Sequence, residues 1–323
     1  MPQDSNAVSA AGRPLWLALT YESRPWERSG NEVASRRAKR QARGEYRASV
    51  PPFIAGAAVD LAPEVRALAD DASGELARFD ATIGIIAAPF TSILLRTESA
   101  SSSEIENLTS SAKQVALAEI GASQSENARL VFASAALELA DDLSVASIIA
   151  MHDALLAESA PDFVGSFRGE QVWIGGGGIS PHEALFVPPH HERVPDLMRD
   201  LIEFASRTDV PVLVHSAIVH AQFETIHPFP DGNGRIGRAF IHSMLRHGGI
   251  TRNVTVPVSA GLLQDTSRYF GALTSYRSGH LNAIVEAVSE AALAAISNGS
   301  TLVAQADPWK VEIRARRGSA PAR

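Results

Sequence analysis

Residues 227–238 read His-Pro-Phe-Pro-Asp-Gly-Asn-Gly-Arg-Ile-Gly-Arg. No other stretch of the chain concentrates so much chemistry in one turn. Gly232 and Gly234 flank Asn233, and glycine tolerates the positive φ that lets successive backbone N–H groups converge on an anion. Downstream, Ile236, Phe240, Ile241, Met244 and Leu245 recur at three- and four-residue spacing, which predicts a helix over 234–247. The nest then lies at a helix N-terminus, where unpaired N–H groups and the dipole favour phosphate. Arg235 and Arg238 are three apart and share one face of the first turn. Their guanidinium forks suit phosphate oxygens. Asp231 can offer one carboxylate oxygen to Mg2+ and leave the remaining positions to water and phosphate. His227, stiffened by Pro228, carries an imidazole that titrates near neutrality and can take a proton from an attacking hydroxyl. Phe229 is expected to face the core and anchor the loop.

Every fixed position of the Fic-family signature, H-x-F-x-[DE]-G-N-G-R-x-x-R, is filled, and the segment resembles that signature closely. The resemblance implies a mainly α, Fic-type helical fold with one β-hairpin flap. It implies an adenylyltransferase that uses Mg2+ and ATP to place AMP on a hydroxyl of a target protein, or of the chain itself. His227 would be the catalytic base and Asp231 the metal ligand, with Gly232, Asn233, Gly234, Arg235 and Arg238 on the phosphates. Transfer of another nucleotide or phosphoryl group, removal of AMP, and a non-catalytic nucleotide-binding regulator stay open.

Residues 102–107 read Ser-Ser-Glu-Ile-Glu-Asn and fit [ST]-x-x-x-E-[GN] through Ser102, Glu106 and Asn107. This resembles the inhibitory-helix motif of the family, in the class that carries it ahead of the core motif. Alone, the pattern is an ordinary polar helix end. In this order it predicts that Glu106 pairs bidentately with Arg238 and takes the place of the γ-phosphate. Phe270, beside Tyr269, is implied at the base pocket, although Tyr269 reads more simply as core. Many relatives carry an asparagine seven residues after that second aromatic, and here the position is Arg277. His220 and Glu224 lie one turn apart, and packing is favoured over metal binding because no third ligand is evident.

The 323 residues carry a net charge of −7 and no cysteine. Disulfides, cysteine-metal sites and thiol catalysis are thereby excluded. The acidic balance argues against broad nucleic-acid binding. No apolar run reaches membrane-spanning length, and residues 1–12 lack the order of a signal peptide, so a cytoplasmic location is expected.

Residues 1–12 read as disordered. Residues 13–88 read as an arm and a helical region, with a basic stretch from Arg36 to Arg47 taken as a solvated helix face. Pro63 opens one helix, and Leu76, Phe79 and Ile83 mark a second, short one. A Fic core is expected over 89–297, with helices near 89–106, 125–142, 145–157, 193–206, 209–225, 234–247, 263–277 and 281–297. Within it, Val172 to Ile174 and Leu185 to Val187 flank Gly175 to Gly178 and predict a hairpin. In the family such a flap docks the target by strand addition, so 172–187 is the expected partner surface. Oligomer formation stays open. Residues 298–323 read as a basic tail or linker, and the sequence leaves open a further domain beyond it.

Overall fold

The helix that ends at the motif, α5 (Val212–Ile226), is buried along almost its whole length. Its sequence, VLVHSAIVHAQFETI, is apolar on every side, as a central helix must be. Several of its polar residues find partners: His215 Nε2 lies 2.8 Å from the carbonyl of Phe204, and the Thr225 hydroxyl donates to Ala221 at 2.7 Å. Gln222 donates to Pro52 at 3.0 Å and accepts from Tyr276 at 2.9 Å.

This is a computed structural model that describes residues 16–26, 42–86, 88–109, 141–157, 159–176 and 179–318. Around α5 stand α1 (Pro63–Ile86), α4 (Val194–Ala205), α6 (Asn233–His247), α8 (Thr266–Arg277) and α9 (Asn282–Gly318). The remaining helices are α2 (Ala88–Thr109), α3 (Val145–Leu156) and α7 (Val258–Gln264). One apolar cluster runs through them, with Phe204, Phe223, Phe229 and Phe240 fully buried. Each such side chain stabilises the fold by roughly 1.5–3 kcal/mol through burial. Helices α5 and α6 pack closely at Gly237, where a Cβ would lie 2.6 Å from Glu224 Oε1.

A two-stranded antiparallel sheet joins β1 (Thr20–Pro25) to β2 (Glu45–Val50), from Thr20 opposite Val50 to Pro25 opposite Glu45. Tyr46 and Ala48 of β2 form a second apolar cluster with Val187, packed against Trp26, Trp173 and Ala184. The mainly helical architecture expected from the sequence is observed. No helix among the described residues is long and apolar enough to cross a membrane.

Several expectations need correction. The region after Pro63 is one helix, because Val65, Ala69, Ala72, Leu76, Phe79 and Ile83 make a single buried stripe at unbroken helical spacing. Gly74 inside it weakens the helix by about 1 kcal/mol relative to alanine, less than the stripe returns. The helix expected over 263–277 is divided at Asp265, whose extended backbone ends α7 and whose side chain caps α8 by accepting from Arg268 N at 2.9 Å. The predicted hairpin is reduced to one antiparallel bridge, Ile174 with Phe186. Gly176 has φ +71°, and a Cβ there would collide with the carbonyl of Glu183. The last helix continues to Gly318, through residues expected as a tail. Arg43 and Arg47 lie on a loop and on β2 rather than on a helix face. Residues 1–12, the basic positions Arg36 to Arg40 and nearly all of the helix expected over 125–142 lie outside the described residues.

Candidate active site

The motif turns where α5 stops. Pro228 disfavours a helical residue before it, and His227 takes the left-handed conformation, φ 50° and ψ 63°. Among the described residues it is the one non-glycine with positive φ. Its N–H still donates to Phe223 at 2.8 Å. Gly232, at φ 79°, ends the loop and caps α6. The Asn233 side chain closes the loop: its Oδ1 accepts from Phe229 N at 2.9 Å and its Nδ2 donates to Phe229 O at 2.8 Å. Phe229 is fully buried and stacks on His152 at 3.9 Å between centroids, while His152 Nε2 lies 3.3 Å from the carbonyl of Asp231.

At the N-terminus of α6 the structure brings α2 onto the motif. A Cβ on Gly234 would collide with Glu106 Oε2 and lie 3.0 Å from Arg238 Nη1. A carboxylate oxygen of the chain thus lies directly against Gly234 at this helix end. Arg238 is buried, donates from Nε to Ser102 Oγ at 2.9 Å and from Nη2 to Ser102 O at 2.7 Å, and meets Glu106 Oε2 at 3.4 Å. Glu106 thus meets the guanidinium through Oε2, while Ser102 accepts from both Nε and Nη2. Asn107 follows on α2. Helix α2 is fixed further back by Glu98, which accepts from Ser259 N at 2.9 Å and from the Ser259 hydroxyl, and lies 3.0 Å from His242 Nε2.

The remaining charges sort themselves by burial. Asp231 is partly exposed; its Oδ1 accepts from Gly232 N at 2.7 Å and its Oδ2 lies 3.7 Å from Arg235 Nη2. No cluster of three or more His, Cys, Asp or Glu able to hold a metal occurs among the described residues. Asp231 is a lone carboxylate beside the cradle, which fits Mg2+ completed by water and phosphate rather than by a protein cage. His227 has a buried Nδ1 with no hydrogen-bond partner, 4.0 Å from Glu224 Oε2. Burial, then Arg168 and Arg277, hold this imidazole well below its usual range and keep it neutral. Burial pushes Glu224 up to about 7. His220 Nε2 lies 2.8 Å from the Tyr269 hydroxyl, and both side chains are buried. Phe270 is half-buried against the core beside Tyr269.

One arginine did not stand out in the sequence as part of this site, and a second was noted there only as a departure from the asparagine of many relatives. Arg168 donates to the carbonyls of His227, Glu170 and Pro189 at 2.8, 2.9 and 2.6 Å. Arg277 stacks 3.7 Å above the Phe186 ring and donates to Glu224 O at 3.2 Å. Arg168 belongs to no motif, and its acceptors at His227 and Pro189 lie far from it in sequence.

Residues 142–245 match the Fic/DOC family. Over 107 residues it is 35% identical to "Probable protein adenylyltransferase aq_aa38" of Aquifex aeolicus, covering 33% of this chain and 31% of that protein. Over 159 residues it is 26% identical to "Protein adenylyltransferase fic-1" of Caenorhabditis elegans, covering 48% and 28%. The chain therefore spans about a third or less of these relatives. A Fic family protein from Desulfovibrio desulfuricans G20, known from its crystal structure, superposes with a TM-score of 0.56 at 25% identity, over 76% of both chains.

Proposed function

We propose that this chain is a protein adenylyltransferase that moves AMP from ATP to a hydroxyl side chain of a protein, itself included, and that Glu106 restrains it. The observation that carries this is the Glu106 carboxylate lodged against Gly234 and Arg238, an acid standing where a phosphate would bind. The names of the relatives support the same chemistry. His227 would take the proton of the hydroxyl, the oxygen would attack the α-phosphate, and pyrophosphate would leave. Arg235, Arg238 and the N–H groups of Asn233 and Gly234 would hold the phosphates, positioning and neutralising them, while Gly232, whose N–H donates to Asp231, would shape the turn. Mg2+ held by Asp231 would supply further neutralisation of phosphate charge. ATP use agrees with a cytoplasmic location.

For target docking, one edge of the flap is already used: Ser49 N of β2 donates to Val187 O at 3.0 Å. An extended target segment would add along 172–174 instead. Base choice rests on Phe270 and α8, where Arg277 replaces the asparagine that the family resemblance implies. That departure supports a second reading, transfer of a different nucleotide.

A panel of nucleoside triphosphates labelled at the α- or γ-phosphate, incubated with Glu106→Gly protein, tests both. Label from the α-position of ATP should appear on protein, and none from the γ-position. Label from the γ-phosphate, or none from any nucleotide, would refute the proposal.

A further inference from the structure

Arg168 is 4% exposed, and no carboxylate pairs with it among the described residues. Burial alone depresses it to about 10. A buried cation without a counter-ion is costly, so its partners should explain its presence. They come from two places only. Nη1 donates to Glu170 O at 2.9 Å and Nη2 to Pro189 O at 2.6 Å, which are the two ends of the flap. Nε donates to His227 O at 2.8 Å, and Nη2 reaches Ile226 O at 3.4 Å. The backbone N–H of Arg168 also donates to Pro228 O at 2.9 Å.

Only a planar fork with several donors can serve these carbonyls at once, and an ammonium cannot. The left-handed His227 is also strained for a side chain with a Cβ, by roughly 1–2 kcal/mol. A charged donor on its carbonyl holds that conformation in place.

We propose that Arg168 is a positioning residue that ties the base of the flap to the His227 peptide, so that a hydroxyl docked on the flap meets the imidazole in register. This rests on the AMP-transfer proposal above. Arg168 touches no reacting atom; it acts through His227 and the flap. Its positive charge also helps keep the imidazole neutral.

The test uses the full chain carrying Glu106→Gly, alone and with Arg168→Lys or Arg168→Gln. Steady-state transfer and the titration of the His227 imidazole by NMR are both read. Both variants should lose kcat by about 10²-fold with the KM for ATP nearly unchanged, since misplacement by about 1 Å costs that much. Lysine should not rescue, because it keeps the charge and loses the fork. In the glutamine variant the His227 titration should move upward while His215 and His220 stay put. Undiminished kcat in both variants, rescue by lysine, or an unmoved His227 titration would overturn the proposal. So would parallel loss of kcat, ATP binding and melting temperature, the mark of a merely structural residue. Absence of transfer by the Glu106→Gly parent would instead refute the proposed function, and the imidazole titration alone would then decide whether Arg168 places His227.

Discussion

Replacing Glu224 by glutamine should make the protein more stable at neutral and basic pH, and not at acid pH. Glu224 lies on the last turn of α5, is 6% exposed, and has an Oε1 with no hydrogen-bond partner. Burial raises its carboxyl from 4.5 to about 7, reinforced by Glu106 and opposed by Arg238 and Arg277. Between those two values the folded chain keeps a proton that the unfolded chain has lost. Stability therefore falls as pH rises through that window. A rise from 4.5 to about 7 corresponds to about 3 kcal/mol. Glutamine has the size of the protonated acid and cannot ionise. Urea unfolding of both proteins at several values from about pH 4 to about pH 8 gives the difference directly. His227 is shifted the other way, and subtracting the parent curve removes its contribution. The difference should be near zero at the acid end and rise by up to about 3 kcal/mol. A difference that stays flat with pH, or a glutamine variant less stable at the basic end, would refute a buried, protonated Glu224.

Removing the imidazole in His227→Ala should lower AMP transfer by ~10²–10⁴-fold and leave ATP binding intact, measured by calorimetry beside the labelled-transfer assay. Near-full transfer would take His227 out of the chemistry. Because burial, Arg168 and Arg277 hold the imidazole low, it stays neutral on acidification, so the acid limb of kcat should lie below the ordinary imidazole value of 6.5; a limb at or above that value would contradict this environment. Glu98→Ala should loosen α2 from Ser259 and His242 and raise self-modification without altering Arg238. An unchanged rate would mean that α2 is held elsewhere.

The motif was legible in the sequence because its chemistry is local. Gly232, Asn233 and Gly234 must be adjacent to form a cradle, and Pro228 fixes the turn at His227 wherever the loop goes. The periodicity of α6 was equally plain, since it buries a regular face, and α5 showed as an apolar run before it. What failed to show was set by contacts between distant segments. Arg168 looks like any loop arginine until the carbonyls of His227 and Pro189 are placed around it. The split between α7 and α8 turns on the Asp265 cap, a local signal lost inside one apolar pattern. The flap was expected as a regular hairpin because Val172 to Ile174 and Leu185 to Val187 are good strand formers. Those residues instead pack against β2 through Trp173 and Val187, and only Ile174 and Phe186 pair. The role of Ser102 was underestimated as well, because motif spacing pointed to the acid and not to the hydroxyl that takes the Arg238 fork.

The most direct test compares self-modification rates of the wild-type chain, Glu106→Gly, and Glu106→Gly with Arg238→Ala, at saturating ATP and Mg2+. The wild type should transfer AMP weakly. Glu106→Gly should transfer it strongly and stop when Mg2+ is chelated. The double variant should stay low, because the freed cradle lacks its guanidinium. Equal rates in the wild type and Glu106→Gly, with both folded and both binding ATP, would contradict the claim that this carboxylate holds the phosphate site closed.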